Sequence, residues 1–337
     1  MNRLRIATIG CGNFGAQHRK ALATMSDTVD LVACVDRHDD RAASAAAEVG
    51  ARSATHHREV LDSVDAITIA TPHPSHAAIA QDAFAAGVHV FMEKPLAMSE
   101  SEADAVISAA RAADRVLMVG YPLRYHPLHQ RMHDEIVSGR WGEPVHVTLN
   151  TEMNLRVPEG HWRSRPEGRG GGSLFSHGCH YIDLLLWHLG SPVRGIHLGT
   201  TLGSAGPVAG DTTGHAIIEF ANGAIGHHFG TEVARRPGGQ ASYRAHLTDA
   251  VLNGDPRTGE LTVSRADREP EVLLRTEANS KFLPGEFRHF LDCIRTGAEP
   301  ETSGTRSAQS LRVIWRLYRA AEDGSGWADL RGLGLDG

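Results

Sequence analysis

The sequence has no excess of basic residues, no long apolar run and no paired cysteines. Its 34 Lys and Arg residues are outnumbered by 40 Asp and Glu, giving a net charge of -6, which argues against a protein that mainly binds nucleic-acid phosphates. No apolar run reaches the roughly 18 residues that predict a membrane helix. No signal-peptide pattern is present, and the cysteines form no C-x-x-C pair. We therefore expect a cytoplasmic protein without nucleic-acid or membrane partners.

The 337 residues are too many for one compact domain and sufficient for two. In residues 1–123, short apolar runs alternate with alanine-rich helical stretches, which is typical of a parallel sheet covered on both faces. Residues 124–337 contain alternating polar and apolar runs, and Asn222-Gly223 is a strong hairpin signal. We predict a doubly wound α/β Rossmann domain over 1–123. An α+β domain with a largely antiparallel open sheet follows over 124–337, with C-terminal helices packing near the first domain.

A glycine-rich loop follows the first predicted strand and opens the first predicted helix. It reads Gly10-Cys11-Gly12-Asn13-Phe14-Gly15. The first glycine permits a tight turn, the second lets backbone amides approach a pyrophosphate, and the third lets helix and strand pack closely. We therefore predict that Gly10, Gly12, Asn13, Phe14 and Gly15 bind a dinucleotide. The alternative is a glycine turn in another kind of α/β protein.

Asp36 ends the second predicted strand, 21 residues after Gly15. A carboxylate there accepts hydrogen bonds from the ribose hydroxyls of the adenosine. It also repels a 2′-phosphate, which favours NAD over NADP. Arg37 follows directly and could cover the adenine or pair with a 2′-phosphate, so NADP stays open as an alternative.

Two further segments follow strands of the predicted parallel sheet. They are Thr71-Pro72-His73-Pro74-Ser75-His76 and Glu93-Lys94-Pro95. Ligands of open α/β sheets bind at the carboxyl ends of the strands, so Thr71, Pro72, His73, His76, Glu93 and Lys94 are candidate cofactor contacts. Lys94 is also a candidate to polarise or protonate a reacting oxygen. A solvated surface lysine is the ordinary alternative.

With these motifs the sequence resembles the glucose-fructose oxidoreductase, inositol dehydrogenase and rhizopine-catabolism (Gfo/Idh/MocA) family over nearly its whole length. Besides the three segments above, the resemblance rests on Gly120–Tyr125 and on a glycine-led helix from Gly170. It implies an NAD(P)-dependent oxidoreductase that transfers a hydride between a nicotinamide and a carbinol or carbonyl of a sugar, cyclitol or related polyol. It also implies that Lys94 hydrogen-bonds the reacting oxygen and that Glu93 lies near the nicotinamide.

The glycine-led segment lies in a predicted helix over Ser173–Leu189. By resemblance, His180 matches the family's catalytic histidine and Asp183 the acid one turn later, whereas Ser176 replaces an aspartate that touches a substrate hydroxyl. An imidazole titrates near neutral pH and can accept a hydroxyl proton as the hydride leaves. Helical spacing puts Ser176 and Asp183 on the face of His180, so we expect both to bind substrate. The alternative for His180 is a packing role.

Other candidates come from single positions. We expect Arg124, Trp162 and Arg163 to bind substrate. For Arg124 the alternative is a domain-interface contact, and for Trp162 and Arg163 the alternatives are a contact with the nicotinamide or a mobile loop. The 21 histidines form several close pairs without a third-ligand pattern, so we predict no metal. An open sheet leaves one face uncovered, which favours a homodimer or homotetramer.

Two other functions stay open at this point. The first is a redox-neutral glycosidase or lyase in which bound NAD oxidises a sugar only transiently. The second is a non-catalytic sensor that binds a dinucleotide. The presence of Lys94 and His180 argues against the sensor.

Overall fold

The computed structural model describes residues 3–201, 209–235, 240–278 and 283–335. Of these, the residues within 1–122 and 282–308 form one compact unit, and those within 123–281 and 309–337 form a second. No helix in these ranges is both long and apolar enough to cross a membrane.

The first unit is built on a six-stranded parallel sheet. Its strands are β1 (Leu4–Ile9), β2 (Val29–Val35), β3 (Arg52–Ala54), β4 (Ala66–Ile69), β5 (His89–Glu93) and β6 (Leu117–Gly120), and its first helices are α1 (Asn13–Ala23), α2 (Asp39–Val49), α3 (His76–Ala85) and α4 (Glu100–Ala113). The strand order is β3-β2-β1-β4-β5-β6, and every neighbouring pair is parallel. This confirms the predicted doubly wound α/β Rossmann fold.

Burial explains why the inner strands are evident in the sequence. All four residues of β4 are buried, as expected for a strand covered on both faces. By contrast, β3 is a three-residue edge strand whose first two residues are exposed. Its polar sequence gives no apolar run that would predict a strand.

The second unit contains a nine-stranded sheet. Its strands are β7 (Pro144–Glu152), β8 (Pro192–Thr200), β9 (Thr213–Phe220), β10 (Ile225–Thr231), β11 (Gln240–Leu247), β12 (Val251–Asp255), β13 (Glu260–Arg265), β14 (Arg268–Arg275) and β15 (Ala328–Asp329), and its first helices are α5 (Pro127–Val137), α6 (Pro166–Arg169) and α7 (Cys179–Leu189). The strand order is β14-β13-β12-β11-β7-β10-β9-β8-β15. All neighbours are antiparallel except β7 and β10, which are parallel. The predicted largely antiparallel sheet is confirmed.

The predicted hairpin joins β9 and β10. Gly223 has φ +85°, and the side chain of Asn222 accepts a hydrogen bond from the backbone N–H of Ala224 at 3.1 Å. Strand β8 is not evident from the sequence because it begins with a proline and contains two glycines, and β12 and β15 are too short to show a pattern.

Two C-terminal helices complete the structure. They are α8 (Leu283–Thr296) and α9 (Gly304–Glu322), of which α8 lies within the first unit. Phe287 and Phe290 on α8 are fully buried, and their ring centres lie 4.5 and 5.7 Å from that of Phe91 on β5. This packing explains why the segment 282–308 groups with the first unit, whereas the sequence places it within the domain 124–337.

Candidate active site

The glycine loop of the first unit has the geometry that a dinucleotide requires. Gly10 has φ +95°, and a Cβ there would lie 2.6 Å from the carbonyl oxygen of Ala70. A Cβ on Gly15 would lie 1.8 Å from the carbonyl oxygen of Gly10, so α1 packs directly on the turn. At Gly12, by contrast, no described atom lies within 4 Å of the Cβ position. Space is therefore open at the second glycine, where a pyrophosphate approaches the backbone.

Asp36 is held by two backbone hydrogen bonds, one of which comes from this loop. Its Oδ2 accepts from the N–H of Cys11 at 2.9 Å, and its Oδ1 accepts from the N–H of His38 at 3.0 Å. Both bonds fix the carboxylate directly after β2. Arg37 is exposed, and its Nε lies 3.3 Å from Nε2 of His38.

These residues fit the dinucleotide expected from the sequence. The open space at Gly12 adjoins the N-terminus of α1, where first-turn amides and the helix dipole favour an anion. Asn13 is exposed and Phe14 half-buried in this first turn. Gly12, Asn13 and Phe14 would hold the pyrophosphate, and Asp36 the adenosine ribose.

His76 connects the two strand-end loops of the first unit. Its Nδ1 lies 2.8 Å from the carbonyl oxygen of Pro95, and its Nε2 lies 2.9 Å from that of Thr71. The ring is fully buried, and this burial lowers the pKa of His76. A neutral imidazole has one N–H, so His76 donates to one of these two carbonyl oxygens and contacts the other. The ring therefore lies between the loop next to Lys94 and the preceding loop, and its lack of exposed surface does not fit the direct cofactor contact expected from the sequence.

The neighbouring candidates differ in exposure. Thr71 is half-buried, Pro72 is exposed and His73 is buried. The ring centres of His73 and His76 lie 5.9 Å apart. Of this segment, Thr71 and Pro72 therefore offer the accessible surface.

Lys94 and Glu93 are both only 9% exposed, so Lys94 is not a solvated surface lysine. Glu93 ends β5, and its Oε1 lies 3.0 Å from Nε2 of His18 on α1. The His18 ring has no exposed surface and makes edge contacts with Phe91 and Phe287, with ring centres 5.4 and 5.2 Å away. Aromatic packing thus fixes the imidazole that orients Glu93, directly before Lys94.

The predicted helix over Ser173–Leu189 consists of two different segments. Leu174–Gly178 form a π-helical turn, and α7 begins at Cys179. A π turn is wider than an α turn, so the α-helical spacing that predicted a shared face for Ser176 and His180 does not apply across it. His180 lies in the first turn of α7 and is 4% exposed.

Arg124 and Asp183 form a buried bidentate ion pair in the second unit. Nε and Nη2 of Arg124 donate to the two carboxylate oxygens of Asp183 at 2.6 and 2.9 Å. The residues are 4% and 1% exposed, and the Arg124 guanidinium also lies 5.2 Å from the ring centre of Trp187. The structure therefore pairs these two predicted substrate contacts with each other.

Ser176 belongs to a second buried polar cluster. Its Oγ donates to Oε1 of Glu232 at 3.1 Å, and Nη2 of Arg169 donates to Oε2 of Glu232. Arg169 also lies 3.4 Å from the Ser176 oxygen and donates to the carbonyl oxygen of Ala209 at 2.7 Å. Burial raises the pKa of Glu232, while Arg169 and Ser176 act in the opposite direction. Ser176 is thus bonded to a carboxylate from another part of the chain.

Asp211 holds the start of the same segment. Its Oδ2 accepts from Oγ of Ser173 at 2.5 Å, and its Oδ1 accepts from the hydroxyl of Tyr318 at 2.8 Å. The Tyr318 oxygen in turn accepts from the backbone N–H of Gly172 at 3.0 Å. Asp211 therefore anchors the glycine run at Ser173. Three residues later, Ser176 is bonded to Glu232.

Trp162 and Arg163 are half-buried. The Arg163 guanidinium lies 4.4 Å from the ring centre of Trp162. A Cβ on Gly168 would lie 2.0 Å from the carbonyl oxygen of Trp162, so this short turn packs closely on α6. Both side chains keep some surface with which to reach a substrate.

Sequence reasoning missed His18, Arg169 and Glu232. His18 follows Gly15 by three residues, but nothing in the sequence connects it to Glu93. Arg169 precedes the glycine run and Glu232 follows β10, and no local spacing links either residue to Ser176. Within the described ranges, no group of three His, Cys, Asp or Glu side chains is placed to hold a metal ion.

Two family models match the chain. The model of an oxidoreductase family with an NAD-binding Rossmann fold, GFO_IDH_MocA, matches residues 4–121. The model of the GFO/IDH/MocA C-terminal domain matches residues 129–253.

Individual proteins are similar over almost the full chain. A 4-carboxy-2-hydroxymuconate-6-semialdehyde dehydrogenase from Sphingobium sp. is 28% identical over 333 residues, which cover 93% of this chain and 98% of that enzyme. A D-xylose 1-dehydrogenase (NADP(+)) from Haloferax volcanii is 29% identical over 318 residues, covering 90% and 93%. The crystal structure of GenD2 from gentamicin A biosynthesis, in complex with NAD, is 27% identical with a TM-score of 0.86, covering 98% and 97%.

Proposed function

The chain belongs to the Gfo/Idh/MocA family of oxidoreductases with an NAD-binding Rossmann fold, and from this premise we propose that it oxidises a CH–OH group of a sugar, cyclitol or related polyol to a carbonyl, or reduces that carbonyl. The observation that carries the proposal is Lys94, a buried lysine at the carboxyl end of β5. Lys94 and the glycine loop follow two strands of the same parallel sheet, β5 and β1, at the carboxyl ends where such sheets bind ligands.

NAD supplies the hydride acceptor when it is bound. Gly12, Asn13 and Phe14 bind its pyrophosphate, and Asp36 binds the adenosine ribose and disfavours a 2′-phosphate. Thr71 and Glu93 contact its nicotinamide half. In this assignment His76 and His18 act indirectly, since His76 holds the loops around Thr71 and Pro95 and His18 orients Glu93.

Lys94 and His180 carry the proton chemistry. An ammonium has three N–H donors, so Lys94 can hydrogen-bond the reacting oxygen and stabilise the negative charge that develops on it. His180 accepts the hydroxyl proton during oxidation and returns it during reduction. Ser176, Trp162 and Arg163 bind the substrate, and the pairing of Arg124 with Asp183 supports a positioning role for these two.

A panel of polyols and sugars tests this function. Aldopentoses, aldohexoses and cyclitols, D-xylose among them because of the similar enzyme, are mixed with NAD⁺ or NADP⁺ while the absorbance of the reduced nicotinamide is followed. We expect steady accumulation of NADH with at least one member. Product formation without NADH would instead support the redox-neutral enzyme, and dinucleotide binding without turnover would support the sensor.

We also propose that the chain forms a homodimer or homotetramer through the outward face of the nine-stranded sheet. This face carries apolar side chains that are exposed or half-buried, namely Ile196, Leu198, Ile217, Ile225 and Phe229. Large exposed apolar patches mark interaction sites, and closed homo-oligomers are the commonest assemblies. Sedimentation analysis of wild type and of Ile217→Glu tests this, because the variant should be smaller, and a monomeric wild type would contradict it.

The cytoplasm is the proposed location. All four cysteines, Cys11, Cys34, Cys179 and Cys293, are free thiols, which agrees with a reducing compartment.

A further inference from the structure

Arg169, Ser176 and Glu232 form a cluster that the proposed proton chemistry does not use. Arg169 has no exposed surface, Glu232 is 2% exposed and Ser176 is 8% exposed. They come from the end of α6, the π-helical turn and the residue after β10. Burying two charged side chains together is costly unless each is paired and hydrogen-bonded. The cluster satisfies this condition, and it adjoins the segment that leads to His180.

Glu232 is held through its backbone as well as through its side chain. Its N–H donates to the carbonyl oxygen of Thr212 at 2.8 Å, and its own carbonyl oxygen accepts from the N–H of Leu155 at 2.8 Å. Two neighbouring chain segments therefore hold the backbone of Glu232, and Arg169 holds its carboxylate. A carboxylate that is held in this way keeps its position and orients the hydroxyl group that donates to it.

The partner is the hydroxyl of Ser176, which has one proton to donate. That proton is directed to Oε1 of Glu232. Towards any other molecule, the Ser176 oxygen can then act only as a hydrogen-bond acceptor. Arg169 and Glu232 also offset each other's charge, so the Arg169 guanidinium does not serve as a binding site for an anion.

We propose, on the basis of the function proposed above, that Glu232 is a positioning residue that sets substrate specificity. It holds Ser176 as an acceptor for one substrate hydroxyl, and its pairing with Arg169 makes the preferred substrate a neutral polyol. A deoxy or O-methyl derivative at that position has no proton to donate. A site built to hydrogen-bond a hydroxyl discriminates strongly against an analogue that lacks it, because the site's own polar group is left unpaired.

The variant Glu232→Gln tests this assignment. The amide can donate to Ser176, so the serine proton is no longer directed inward. The probes are the neutral aldose or cyclitol with the highest turnover in the panel, together with its monodeoxy and mono-O-methyl derivatives. Wild type should prefer the parent at one position by about 10- to 100-fold in kcat/KM, and Glu232→Gln should reduce this preference by about tenfold. The corresponding uronic acid tests the effect of substrate charge. Because Glu232→Gln leaves the positive charge of Arg169 uncompensated, the variant should show a smaller ratio of kcat/KM for the neutral parent to kcat/KM for the uronic acid than the wild type.

Asp211→Asn is the matched control. Asp211 is the other buried carboxylate of this segment, but it is bonded to Ser173 and Tyr318. Loss of this carboxylate should lower the melting temperature without changing the ratio of kcat/KM for the parent to kcat/KM for the derivative. An equal change of that ratio in Asp211→Asn and Glu232→Gln would show a merely structural role and overturn the proposal.

Ser176→Ala keeps the proposal testable if Glu232→Gln does not fold. It removes the acceptor, while the ion pair between Glu232 and Arg169 is kept. The same loss of preference for the parent over its derivatives is therefore expected, and the double variant should lose no more of this preference than either single variant. An active wild type whose preference neither single variant alters would overturn this inference alone. A wild type that reduces NAD⁺ with no member of the panel would overturn the proposed function and this inference with it.

Discussion

The backbone N–H of Cys11, in the middle of the glycine loop, donates a hydrogen bond of 2.9 Å to the carboxylate of Asp36. The bond joins the two parts of the dinucleotide motif, which are 25 residues apart in the chain. It fixes the carboxylate before any ligand arrives. In the proposed assignment, binding of the adenosine ribose therefore does not have to pay for ordering this side chain.

Replacing Asp36 by Ser should weaken NAD binding by about tenfold or more, since a hydrogen bond to a charged group is worth about 1.5–3 kcal/mol. NADP should bind better, because the repulsion of a 2′-phosphate is removed. Titration of both cofactors against wild type and variant measures the two effects. Arg37→Ala in the Asp36→Ser background is the control and should lose the gain for NADP. Tighter binding of NADP than of NAD by the wild type would contradict this account of Asp36.

The buried Arg124–Asp183 pair predicts a loss of stability and not only of substrate binding. Asp183→Ala leaves a buried guanidinium without this carboxylate, which should lower the free energy of unfolding by about 3–5 kcal/mol. The double variant Arg124→Met/Asp183→Leu removes both charges and should recover most of that stability. Denaturant unfolding measures both variants. A stable Asp183→Ala protein with a raised KM would instead show direct substrate contact, as expected from the sequence.

Lys94→Ala and His180→Ala should each lower kcat by roughly 10²- to 10⁴-fold if both residues serve proton transfer. Cofactor affinity should hardly change, and the double variant should be little worse than the worse single one. His177→Ala is the matched control, because the His177 ring lies 5.8 Å from that of His180 but has no assigned chemistry. Full activity of a folded His180→Ala protein would end its catalytic assignment.

Buried histidines predict a loss of stability in acid. Burial lowers the pKa of the buried His129 to about 3, and it is the main cause that lowers the pKa of the buried His228 and of the half-buried His89 to about 4. Unfolded histidine titrates near pH 6.5, so between about pH 6.5 and 4 the unfolded chain binds more protons than the folded one. The stability from these neutral rings is therefore complete above about pH 6.5 and declines as the pH falls.

Denaturant midpoints measured from pH 7.5 to 4.5 test this pH dependence. His129→Leu removes one linked proton and should flatten the decline. Midpoints that stay constant over this range in the wild type would contradict the assignment of neutral buried rings.

Local sequence patterns were enough to predict the first unit's sheet, apart from its edge strand β3, and its glycine loop. Apolar runs of buried parallel strands and the three glycines each reflect a constraint that acts within a few residues. The positions of Lys94 and Asp36 at the carboxyl ends of strands could be predicted for the same reason, because both residues directly follow strands.

Contacts between distant residues could not be predicted in this way. The bonds from Ser176 to Glu232 and from His18 to Glu93 span 56 and 75 residues, and no local period encodes them. The π-helical turn at Leu174–Gly178 has an apolar pattern that also fits an α-helix. The sequence leads us to expect the C-terminal helices near the first domain, but the aromatic packing against Phe91 that groups 282–308 with the first unit is shown only by the folded chain.

Hydride transfer itself is the most direct test of the account. The substrate identified in the panel is prepared with deuterium on the carbinol carbon, and the reduced nicotinamide is analysed by mass spectrometry over many turnovers. We predict one deuterium in each reduced cofactor, formed in equal amount to the carbonyl product. Turnover that leaves no deuterium in a released cofactor, or product formed without net cofactor reduction, would contradict the assignment as a dehydrogenase.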